Sequence, residues 1–185
     1  MLNEVVLELL KLYPTDGSHR YHWVDGFDGV TTNILYQGEI VAKAEEEMRT
    51  YCCGLTFEVY MLAAQLRARQ KNVPLSLGGM TSWGVRKMKA DWFVATGLRG
   101  GPFDALVSRD LGKRIEYEEA LAGDFIQLWR YTGSGHSCIL IDRDADGFRY
   151  WSTQPSTNGI GYRRENFRVI KRDELYITRA FDPTS

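Results

Sequence analysis

Apolar residues along this chain keep two different rhythms, and the change between them comes near residue 115. In the first part they recur at three- and four-residue steps. Leu2, Val5, Val6, Leu9 and Tyr13 share one side of a predicted helix over 2–13, stopped by Pro14 and Gly17. Leu55, Val59, Leu62 and Leu66 repeat the pattern in a stronger stretch. This predicts a helix over 53–71 with one face for burial, closed by Asn72 and Pro74. A third helix is predicted over 85–95, between the turns at 78–79 and 97–102. The stretch over 33–36 reads as a short strand, after which Gly38 turns the chain into an Ala/Glu-rich helical stretch ending near Met48. Glu45, Glu46 and Glu47 form a solvated face of that stretch.

Beyond residue 115 the rhythm becomes short and β-rich. Strands are predicted over 125–129, 136–142, 148–153 and 167–171, with turns at 133–135, 144–147 and 158–159. Helices first and an antiparallel sheet second is an α+β pattern. With no repeat, low-complexity run or linker, residues 1–185 read as one domain.

Composition narrows the function classes. Hydrophobic residues make up 44% and charged residues 25%, so a sizeable core is available without disulfides. The net charge of −1 offers no electrostatic footprint for nucleic acid or for an anionic membrane. No apolar run is long enough to span a bilayer, and Met1-Leu2-Asn3-Glu4 lacks the basic start of a secretory signal. A cytoplasmic product is expected, or one exported without a cleaved signal peptide. Three cysteines, two of them adjacent, do not make a disulfide framework.

The candidate chemistry is divided between the two halves. Cys52 and Cys53 open the strongest helix, where unpaired N–H groups and a partial positive charge favour a thiolate. Small cysteines also pack under helix ends, so the position alone does not make a nucleophile. His136 follows the turn Gly133-Ser134-Gly135 and opens a strand. Alternation puts His136 and Cys138 on one face, with Ser137, Ile139 and Ile141 on the other. A Cys–His pair needs a third group to orient the ring. Ser152 and Gln154, on one face of the next strand, both qualify, and the choice between them stays open. His19 and His22 lie in a loop-like stretch without further ligands at metal spacing, so neither metal nor cofactor is expected.

The order of these blocks resembles the NlpC/P60 superfamily. The segment Cys52-Cys53-Gly54-Leu55-Thr56 is similar to the Cys-Ser-Gly-Leu-Val that begins that family's nucleophile helix. Ala122-Gly123-Asp124-Phe125-Ile126 resembles its Pro-Gly-Asp-Leu-Val strand, and His136-Ser137-Cys138-Ile139-Leu140 its His-Val-Gly-Ile-Tyr strand. The CHAP-like amidase branch carries polar residues on the next strand, as Ser152 and Gln154 stand here. The matching core covers about residues 50–160, leaving an N-terminal extension (1–49) and an insert (about 74–114).

The resemblance implies a papain-like fold and a cysteine peptidase or amidase acting on a peptide, often a peptidoglycan peptide. By register Cys52 is the nucleophile, with Cys53 the alternative one residue on, His136 the base, and Gln154 or Ser152 the orienting group. Tyr51, Tyr36 and Trp83 are assigned to the substrate side. Tyr51 stands where the family has aspartate, Cys53 where it has serine, and the third catalytic residue is not its usual histidine. An acyltransferase using the same thioester, and a binding domain without chemistry, are the competing expectations.

Overall fold

The computed structural model describes residues 1–24 and 26–184. Four α-helices precede or flank a sheet: α1 (Leu2–Leu10), α2 (Cys52–Lys71), α3 (Ser82–Trp92) and α4 (Pro102–Val107). The first two strands, β1 (Ile34–Tyr36) and β2 (Glu39–Ala42), pair only with each other. The remaining six are β3 (Gly112–Arg114), β4 (Phe125–Arg130), β5 (Gly135–Asp144), β6 (Gly147–Gln154), β7 (Gly159–Asn166) and β8 (Ile170–Ala180). They form one antiparallel sheet in the order β3-β8-β4-β5-β6-β7. The architecture is α+β.

Two expected elements take other forms. The Ala/Glu-rich stretch after Gly38 begins as strand β2, not helix. Gln37 and Gly38 both have positive φ, 52° and 80°, the two-residue turn whose twist suits a hairpin. Of the strand expected over 167–171, residues 167–169 are instead the turn between β7 and β8, and Ile170 and Lys171 begin β8. Strand β3 and the six-residue helix α4 are too short for periodicity to reveal.

Helix α2 sits deeper than a one-faced helix. Every residue from Cys53 to Met61 is buried, so its first turns are enclosed on all sides. One core forms where α2 packs with α1 and α3 against one sheet face, with Ile139 and Trp151 contributed by the sheet. The alternate residues Cys138 and Leu140 of β5 and Phe148 and Tyr150 of β6 form a second core on the opposite face. Asn72, at φ 54°, ends α2 in the left-handed conformation.

The start of α2 is fixed by contact rather than by a capping side chain. A Cβ on Gly54 would lie 2.0 Å from the Asp28 carbonyl oxygen and 2.6 Å from that of Gly29, so only glycine lets the helix meet that backbone. The buried Thr56 hydroxyl reaches back to the Cys52 carbonyl at 3.0 Å, touches the Ser137 hydroxyl at 2.8 Å, and accepts the Trp92 indole N–H at 3.0 Å. One hydroxyl thereby ties the first turn of α2 to β5 and to α3.

Candidate active site

Cys52 and Cys53 open α2, His136 stands near the start of β5, and all three line one cavity of about 380 Å³. Cross-links set their relative positions. Thr50, two residues before Cys52, meets Thr153 of β6 hydroxyl to hydroxyl at 2.8 Å. Ser152 donates to the Ser137 carbonyl at 2.7 Å, joining β6 to β5 beside His136. Helix start and both strands are thus locked by buried polar contacts, which are costly to break.

The two thiols are electrostatically unlike. Cys52 is half-buried, and its thiol is held well below the ordinary cysteine range. The Cys53 thiol donating to it is the largest cause, and the His136 imidazole and a backbone hydrogen bond from Ser137 add to it against the cost of burial. Cys53 is buried and pushed the other way, by that same hydrogen bond and by burial. Burial also raises Cys138, which sits in the second core. Of the three, Cys52 alone combines access with a favoured thiolate.

His136 Nε2 lies 3.1 Å from Gln154 Oε1, in a buried contact. An amide oxygen can only accept, so Nε2 carries the proton, and Nδ1 is the nitrogen left for the thiol. Ser152 makes no such contact with the ring. Its hydroxyl is spent on the Ser137 carbonyl, and its short side chain stays inside the sheet.

The residues assigned to the substrate side lie away from the opening. Tyr51 is buried, with its hydroxyl donating to the Phe27 carbonyl at 2.8 Å and its ring against Trp23, Phe27 and Phe93. Tyr36 is buried under the hairpin, donating to the Met80 carbonyl and accepting from the Leu77 N–H, both at 3.1 Å. Trp83 is exposed at the start of α3 and stacks under Lys87 at 3.7 Å, outside the cavity. His19 and His22 are apart from the cleft as well, one on the Met48 carbonyl and one on the Phe27 ring. Among the described residues no cluster of metal-ligating side chains is present.

The cavity walls include Tyr21 and Trp23, from a stretch that periodicity did not single out, and Phe93, Val94, Gln127 and Trp129, from the predicted helix over 85–95 and strand over 125–129, where no local signal marked them as site residues. Burial first, and then the charge at Cys52, pushes the Tyr21 phenol up to about 12, so it remains a protonated donor beside the thiol. No local signal marks Tyr21. It arrives through a bridge to Thr50, formed as the 20–22 segment pairs with the residues just before α2.

Chemically, the arrangement offers a polarised thiol, an oriented imidazole and the N–H groups of a helix start, which a helix leaves without internal partners. Compared with family models, curated proteins and solved structures, the chain matches none.

Proposed function

We propose that this chain is a cysteine hydrolase that cleaves an amide bond through an acyl-thioester, in a papain-like arrangement of the NlpC/P60 kind. One observation carries the proposal: the half-buried Cys52 thiol, favoured as thiolate at a helix start, shares its cavity with an imidazole fixed by Gln154. Cys52 Sγ attacks the carbonyl, and the negative charge moves to the carbonyl oxygen, where N–H groups of the helix start and the Tyr21 hydroxyl are the available donors. His136 passes its proton to the leaving amine as the carbon–nitrogen bond breaks. Water, deprotonated by the same ring, then attacks the thioester and releases the acid and the thiolate. Gln154 holds the ring without adding charge. The helix-then-sheet order and the position of the thiol at the start of α2 support the papain-like reading.

Iodoacetamide labelling with peptide mapping tests this. Cys52 is expected to react far faster than Cys53 or Cys138, and to remain fast at pH 6. A free thiol of pKa about 8.5 loses roughly tenfold in rate per unit below that value. His136→Ala should return the Cys52 profile toward that of a free thiol. Uniformly slow labelling of all three cysteines in the wild type would rule the hydrolase out.

A further inference from the structure

The described residues around Cys52 give its cavity aromatic and aliphatic walls and, beyond the thiol–imidazole pair, no charge of their own. Tyr21, Trp23, Phe93 and Trp129 contribute rings, Val94 an aliphatic face, and no Asp, Glu, Lys or Arg lines it among the described residues. The cations nearest these rings are already committed. Arg99 lies over Trp129, 3.8 Å from its centre, but its Nε is 2.7 Å from Glu174 Oε2. The Trp129 indole donates to the Arg99 carbonyl at 2.8 Å, which fixes that ring at the rim. Lys89 lies 5.8 Å from the Phe93 ring and is paired with Asp28 at 2.6 Å. Among the described residues that line the cavity or stack on its rings, no uncommitted charge is left to greet a charged group entering it.

Two further features mark the space as built for an occupant. Val94 is held at φ 58°, a conformation that β-branched residues rarely adopt, at the end of α3 where it faces the cavity. Gln127, only 3% exposed, lines the same cavity. Its amide nitrogen makes one long bond, 3.4 Å to the Leu128 carbonyl, and its amide oxygen has no partner among the described residues. An amide oxygen left open on a cavity wall can accept an N–H of a bound amide.

Resting on the hydrolase reading above, we infer that the substrate places an uncharged, apolar or aromatic side chain beside the scissile amide, seated against Trp23, Phe93 and Trp129, with the amide N–H on Gln127. A carboxylate or ammonium group would surrender its hydration here without a counter-charge. The carboxylate-bearing peptides of the bacterial wall are therefore poor candidates for this cavity.

Acetyl-capped aminoacyl chloromethyl ketones with phenylalanine, glutamate or lysine side chains test the inference. Each alkylates the thiol with loss of chloride, and each rate is normalised to that with free cysteine at the same pH. The phenylalanine reagent is expected to label Cys52 at least ~10-fold faster than either charged one, the factor that separates a seated side chain from an unpaired charge. Val94→Lys should narrow the gap to the glutamate reagent by supplying the missing cation. Equal normalised rates, or a preference for a charged reagent while iodoacetamide still labels Cys52 rapidly, would overturn this inference and leave the hydrolase standing. A Cys52 that resists iodoacetamide as well would remove both.

Discussion

At the residue scale, the ring of His136 is oriented by a chain that ends on the backbone. The Thr157 hydroxyl has one proton and sits 2.5 Å from the Gly159 carbonyl, which can only accept. It therefore receives the Gln154 amide nitrogen at 2.6 Å, and that assignment turns the amide oxygen toward His136. Thr157→Val should let the amide rotate and slow Cys52 alkylation by roughly threefold to tenfold, the scale of one hydrogen bond of about 1 kcal/mol. The pH profile of labelling is the readout, since lost packing alone would not move it. An unchanged profile would mean that Gln154 is held some other way. Ser152→Ala should behave in the opposite sense. Losing the bond to the Ser137 carbonyl is expected to cost about 1 kcal/mol in urea unfolding while labelling stays close to wild type. Sequence pattern put Ser152 and Gln154 on one face and side-chain reach favoured Gln154, but alternation alone leaves the choice open because it does not place the ring. Gln154 reaches the ring, whereas Ser152 bonds within the sheet.

At the element scale, the decisive feature is where α2 begins. Periodicity from Leu55 onward marks the helix, and its start at Cys52 follows once Gly54 is set against the backbone of Asp28 and Gly29. Gly54→Ala puts a methyl group where carbonyl oxygens already stand. It is expected to lower stability by about 3 kcal/mol, at the upper end of overpacking costs, with loss of rapid Cys52 labelling. Urea unfolding followed by circular dichroism measures the first effect. An unaltered midpoint would show that the 28–29 segment can withdraw from the helix without cost. The misread stretch after Gly38 belongs to this scale too. Alanine and glutamate favour helix, but the turn at Gln37-Gly38 and pairing with β1 override that weak preference.

At the scale of the whole molecule, the N-terminal region is clamped to α2 through Glu58. This buried carboxylate accepts from the Thr31 N–H at 2.5 Å, the Thr31 hydroxyl at 2.6 Å and the Tyr13 hydroxyl at 2.8 Å. Burial outweighs those bonds and raises its pKa above the ordinary carboxylate range. A raised pKa in the folded state means that the linked stability is full below the unfolded value of about 4.3 and is lost as pH rises through the folded value. Relative to Glu58→Gln, the wild type should therefore lose stability in urea titrations as pH rises above the unfolded value of about 4.3. A difference that stays flat above that value would mean that the carboxylate ionises in place without penalty. Asp124 plays a comparable part at the sheet end, accepting from Asn3 at 2.8 Å and from Arg179 Nε at 2.9 Å. The sequence by itself determined what depends on near neighbours. It marked helix α2 with thiols at its start, the α+β order, and the strands carrying His136 and Gln154, because apolar period and turn residues are local properties. The tertiary structure alone decided the cavity. Tyr21, Phe93, Val94, Gln127 and Trp129 converge from separate segments, while Tyr36 and Trp83 end up outside. Its walls come largely from connecting segments and element ends, and their positions follow from how α2 and the sheet pack, which no periodicity records.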